Sequence, residues 1–173
     1  MKIDNNLKII LASKSPRRQI LLKQIGLDFT IIPSNVDEDL SIQLKPKEFV
    51  KHYAKKKARA VSKKNSSSLV IGADTIVSIK NRILGKPNNK RESFEMLRSL
   101  SGKTHTVFTG VSIQKKDEKI NATFFDSTNV TFKNLLDEEI DYYIKKYKPF
   151  DKAGSYGIQD WFSVCIKKIE GCY

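Results

Sequence analysis

The chain has 173 residues, 39% hydrophobic and 29% charged, which suits one globular domain with a sizeable core and excludes a disordered chain. No run approaches the ~20 apolar residues of a membrane helix, and the N-terminal apolar stretch is too short and too early for a secretory leader. The net charge of +13 rests on 26 lysines against 6 arginines, spread along the chain without the arginine and aromatic clustering of sequence-reading nucleic-acid sites, so specific nucleic-acid binding is set aside.

In chain order, residues 8–13 read as a strand and 16–25 as a helix, with Ser15 as N-cap, Pro16 at its first position and Gly26 as its stop. Residues 28–34 form a second strand. A long helix opens at Pro46 and runs to about Asn65, where a polar Asn-Ser-Ser-Ser loop follows. The run SLVIGADTIVSI is a strand, and Lys80-Asn81-Arg82 is its turn into ILGKP. A helix over 90–100 ends at Ser101-Gly102. The runs HTVFTGVSIQ and NATFFDSTNVTF form a hairpin around a polar turn from Lys115 to Lys119. A helix over 137–147 opens with three acids and closes with lysines, as the helix dipole favours. The tail is a glycine-containing loop and then a strand. Cys165 and Cys172 lack zinc-ligand spacing and read as reduced thiols of a cytoplasmic protein. The sum is one mixed α/β domain.

Four places could carry chemistry. Arg17 and Arg18 occupy the first turn of a helix, where cations oppose the dipole. Either they hold an anion there with Ser13 and Ser15, or they point into solvent. Lys57 lies on the apolar stripe of Phe49, Val50, Tyr53, Ala54, Ala58 and Val61, from which it either snorkels to water or reaches inward to an anion. Asp74 sits inside an apolar strand, which is costly unless it meets a metal, a cation or several donors; Gly72 and Ala73 leave room for something to approach. The Asp37-Glu38-Asp39 loop is either solvated or shares a Mg²⁺ with Asp74. The chain carries no Walker P-loop, no G-x-G-x-x-G and no Ser-His-Asp signature. A basic anion pocket beside acidic metal ligands suits phosphate-ester or anhydride chemistry.

LASKSPRRQILL, the acidic pair after the second strand, AKKKARA, GADTIV, GKP, LSGKTHTVFTGV and DKAGSYGIQ, in that order, resemble the Maf family of nucleoside triphosphate pyrophosphatases over nearly the whole chain. The resemblance implies an α/β fold similar to the inosine triphosphate pyrophosphatases, with a cleft beside a mixed, curved sheet. It implies hydrolysis between the α and β phosphates with Mg²⁺ or another divalent cation such as Mn²⁺. Asp74 then matches the catalytic carboxylate, Glu38 the second acid, and Lys57 the cleft lysine, with Glu38 and Asp74 as metal ligands. Ser13, Ser15, Arg17, Arg18 and Lys86 match substrate positions on the triphosphate side. Arg17, Thr75 and Gln159 together match the branch that resembles dTTP/UTP pyrophosphatases, and the Gln159 amide offers both donor and acceptor to a pyrimidine edge. Relatives often form dimers, so a homodimer belongs to the expectation. Asp160 and Lys148 depart from the family pattern, and relatives continue past the final EGCY through a further strand and helix. The alternative is a non-catalytic regulator of cell division that binds nucleotide or nucleic acid.

Overall fold

The computed structural model describes residues 7–172. Along them run β1 (Ile9–Leu11), α1 (Pro16–Gln24), β2 (Thr30–Ile31), α2 (Pro46–Ser62), β3 (Leu69–Ile79), β4 (Arg82–Leu84), α3 (Lys90–Leu100), β5 (Thr104–Lys115), β6 (Ile120–Phe132), α4 (Asp137–Tyr147) and β7 (Ile166–Gly171). The strands form one mixed sheet ordered β2-β1-β3-β5-β6-β7, with β4 paired to β3 off that path. β1 is parallel to β2 and β3, whereas β4 and β7 run antiparallel to β3 and β6. The helices flank this sheet, as the α/β expectation requires. The chain clusters into two compact units: residues up to Asp74 with Thr109–Phe125, and Thr75–Phe108 with the residues from Asp126 onward.

In the first unit, β1 lies between two parallel neighbours and is buried throughout, which is why Ile9-Ile10-Leu11 reads as a continuous apolar run. It is shorter than the predicted 8–13, although Ala12 N still donates to Ile71 O at 2.8 Å. The second strand shrinks to Thr30–Ile31 on the sheet edge. Phe49, Val50, Tyr53, Ala54, Ala58 and Val61 of α2 are all buried, so the predicted stripe faces inward. Glycines set how closely α2 approaches. A Cβ on Gly72 of β3 would lie 2.5 Å from both Ala54 O and Ala58 N, and one on Gly110 of β5 would lie 2.4 Å from Val50 O. The space beside Asp74 therefore admits the α2 backbone, which corrects the expectation that Gly72 leaves room for an approaching group. The helix stops at Ser62 rather than Asn65, whose side-chain amide donates to Val61 O at 2.9 Å.

The second unit has its own core, built on Val77, Leu97, Leu100, Phe132, Ile140, Tyr143 and Phe162. Asn89 caps α3 by accepting from Glu92 N at 2.9 Å, and Glu92 returns to Asn88 N at 2.8 Å. Glu139 accepts from Leu136 N at 3.0 Å at the start of α4. Both helices begin and end at the predicted residues. Lys80 and Asn81 both take positive φ, 49° and 63°, and make a tight connection of the kind that twisted strands favour. Arg82 consequently belongs to β4 and not to the turn. Asp160 has a structural use: its carboxylate accepts from Phe162 N at 3.1 Å and from Tyr143 Oη at 3.0 Å.

Candidate active site

Lys57 resolves the choice left open by its position on α2. The residue is 6% exposed and its side chain turns inward, where Nζ donates to Glu38 Oε1 and to Asp74 Oδ1, each at 2.6 Å. Three sequence-predicted residues thus meet in the first unit, contributed by the loop after β2, by α2 and by β3. Asp74 is 1% exposed. Burial is the largest influence on its carboxyl and holds the pKa above the ordinary carboxylate value. The Lys57 ammonium opposes that rise, Glu38 adds to it by like charge, and Arg18 opposes it. Among the described residues, Asp74 Oδ2 is buried and has no hydrogen-bond partner. Such an oxygen is costly in a folded protein and calls for a ligand.

The first turn of α1 folds back on the preceding loop. Arg18 Nη1 donates to Ser13 Oγ at 3.1 Å, and the same oxygen accepts from Ser15 N at 3.2 Å. Ser15 occupies the predicted N-cap position, but its side chain makes no capping bond. Burial lowers the Arg18 pKa, while Asp74 and Glu38 pull it back up. Arg18 therefore lies within electrostatic reach of the carboxylates, and the solvent reading does not describe it. Arg17 is half-buried beside it, and its like charge also lowers the Arg18 pKa.

The acidic loop is held from α2. Tyr53, one turn before Lys57, accepts from Asp39 N at 2.7 Å through Oη and faces Asp39 O at 3.3 Å. Asp39 Oδ1 accepts from Ser41 N at 2.9 Å and Ser41 Oγ at 2.6 Å, and these bonds lower its pKa. The sequence reading took Tyr53 as core alone; its hydroxyl four residues before Lys57 was the available signal.

Thr75, Lys86 and Gln159 belong to the second unit. Thr75 is half-buried on β3, and Lys86 and Gln159 are exposed on loops.

No group of three or more metal-ligating side chains forms among the described residues. The pair Glu38 and Asp74, with one unpartnered buried oxygen, still fits Mg²⁺, which takes one or two carboxylates together with substrate phosphates and water. It does not suit a cation that needs an all-protein cage.

The chain is similar to known proteins over most of its length. A dTTP/UTP pyrophosphatase of Bacillus anthracis is 52% identical over 166 residues, 96% of this chain and 86% of that protein. A second dTTP/UTP pyrophosphatase, from Thermosipho africanus, is 52% identical over 167 residues, 96% of this chain and 84% of its own. Among solved structures, the Ham1 protein of Staphylococcus aureus shares the fold, with a TM-score of 0.51 at 15% identity over 72% of this chain and 71% of that one. Residues 8–173 match the family of Maf-like proteins, and this chain belongs to that family.

Proposed function

We propose that this chain is a nucleoside triphosphate pyrophosphatase that hydrolyses dTTP and UTP to the monophosphate and pyrophosphate. The observation that carries the reading is Lys57 bridging Glu38 and Asp74, in a chain 52% identical to dTTP/UTP pyrophosphatases over 96% of its length. Water attacks the α-phosphorus and the bond to the bridging oxygen of the β-phosphate breaks. The Asp74 carboxylate, whose pKa burial raises, positions that water and accepts its proton. Lys57 fixes the orientation of both carboxylates, and Arg17 and Arg18 offset charge on the departing pyrophosphate. Glu38 and Asp74 would hold Mg²⁺, or Mn²⁺ in its place, which would supply charge neutralisation at the phosphates. The reading carries a cytoplasmic location, where the triphosphate pool lies, and a homodimer. Among the described residues no helix is long and apolar enough to cross a membrane.

The test is pyrophosphate release with Mg²⁺ from dTTP, UTP, CTP, GTP, ATP and 7-methyl-GTP, with Asp74→Asn in parallel. Turnover of dTTP and UTP that disappears in the variant supports the proposal. A folded wild-type chain that turns over none of them, yet binds DNA in a salt-dependent manner, points to the non-catalytic regulator.

A further inference from the structure

Glu38 stands on a loop, between the two-residue strand β2 and α2. A carboxylate that must meet both an ammonium and a cation needs its backbone held to a fraction of an ångström, and loops do not supply that by themselves. The loop is gripped at two successive residues by one face of α2. Lys57 takes the side chain of Glu38 at 2.6 Å. Tyr53, four residues earlier and so one turn away on the same face, takes the backbone of Asp39 at both of its polar groups: Oη accepts from Asp39 N at 2.7 Å and donates to Asp39 O at 3.3 Å. Tyr53 is itself immobilised. It is fully buried, its ring packs on Phe49 at 4.7 Å between centroids, and His52 meets it edge-on at 5.0 Å. A phenylalanine would satisfy all of that packing, so the hydroxyl has a separate use.

From this we infer that Tyr53 is a positioning residue: its hydroxyl fixes the loop backbone so that Glu38 presents its carboxylate to Lys57 and to the metal. The inference rests on the role of Glu38 in the proposed function. Tyr53 touches no reacting atom, and its effect passes through Glu38 alone.

The test compares the full chain with Tyr53→Phe, Glu38→Gln and the double variant. Amide exchange at Asp39 reads the geometry without reference to activity, and Tyr53→Phe speeds it roughly tenfold or more while the core amides of α2 keep their protection. In dTTP hydrolysis, Tyr53→Phe lowers kcat roughly tenfold, the range seen when groups that orient metal ligands are removed, and raises the Mg²⁺ concentration for half-activation, while KM for dTTP stays within about twofold. In the Glu38→Gln background the same substitution has no further effect on kcat, the signature of two residues acting as one unit. Unchanged kcat and Mg²⁺ dependence in Tyr53→Phe, with Glu38→Gln impaired, overturns the inference and leaves the proposed function standing. An equal loss in both backgrounds also overturns it. Wild-type activity in Glu38→Gln removes the role of Glu38, and this inference falls with it.

Discussion

Lys57 Nζ stands 2.6 Å from Asp74 Oδ1, and the two side chains are 8% and 1% exposed. Neither charge could be carried at that depth alone, and each is the main compensation for the other. Glu38, 22% exposed, supplies the second negative charge from the wetter side. The pair thus ties the stability of the fold to the site proposed for catalysis.

Lys57→Met keeps the length of the aliphatic stem and removes the ammonium. It is expected to lower unfolding free energy by about 3 kcal/mol, because a buried carboxylate loses its partner. Adding Asp74→Asn should recover much of that loss. Urea unfolding at pH 7 on both variants checks this, and a double variant no more stable than Lys57→Met alone counts against the pairing.

Asp74→Asn preserves shape and removes the proposed proton acceptor. Pyrophosphate release should fall by roughly a factor of 10² to 10⁴, the usual worth of a positioned general base. Circular dichroism and thermal melting should show a native fold. Undiminished turnover would remove Asp74 from the reaction.

Gly72→Ala forces a methyl group into the α2 backbone at 2.5 Å. Overpacking of this kind costs roughly 1–3 kcal/mol. Because Lys57 lies between Ala54 and Ala58 on that helix, turnover should fall together with stability. Denaturation midpoints and kcat, measured on the same preparation, provide the check.

His105 belongs to the second unit, where it is 2% exposed, with Nε2 2.8 Å from Tyr156 Oη and Nδ1 without a partner among the described residues. Burial lowers its pKa from 6.5 to about 4. As pH falls, the unfolded chain takes up this proton first, so the stability held above pH 6.5 is lost progressively down to about pH 4, by about 3 kcal/mol at most. Urea midpoints at pH 7, 5.5 and 4.5 should show the decline. His105→Gln, which does not titrate, should show a flatter one.

Gln159→Glu exchanges a group that donates and accepts for one that only accepts at neutral pH. The ratio of dTTP to GTP turnover is expected to fall several-fold. A ratio identical to wild type would mean that Gln159 does not read the base.

The elements that were legible in the sequence are those whose ends are decided locally. α3 and α4 match the predicted 90–100 and 137–147 because Asn89, Glu92 and Glu139 bring their own capping bonds with them. β1 and β2 fell short of prediction because strand length depends on partners, and β2 lies on the sheet edge. β4 went unseen because positive φ at Lys80 and Asn81 is a demand of the hairpin, met here by a lysine that does not advertise it. At the site, residue type and spacing named Lys57, Asp74 and the Asp37-Glu38-Asp39 loop, and the family resemblance singled out Glu38 within that loop. The helical wheel placed Lys57 on the buried stripe but could not say what lay opposite, since its partners are 19 residues upstream and 17 downstream. Tyr53 was hidden for a related reason. An aromatic on an apolar stripe is explained by packing, and its hydroxyl partner sits 14 residues away in an irregular loop.

Gly72 and Gly110 leave α2 resting on bare strand backbone, and this governs how the sequence can drift. The outward lysines of that helix can be exchanged freely for other solvated residues. The height of the helix above the sheet cannot change, because it is gauged by two hydrogen atoms where any other residue has a carbon. A saturation scan should therefore find positions 72 and 110 as intolerant as the charged residues themselves, although neither carries a side chain that could bind or react. The residues proposed for catalysis are visible by their chemistry, and the spacers that set their separation are visible only by what they lack.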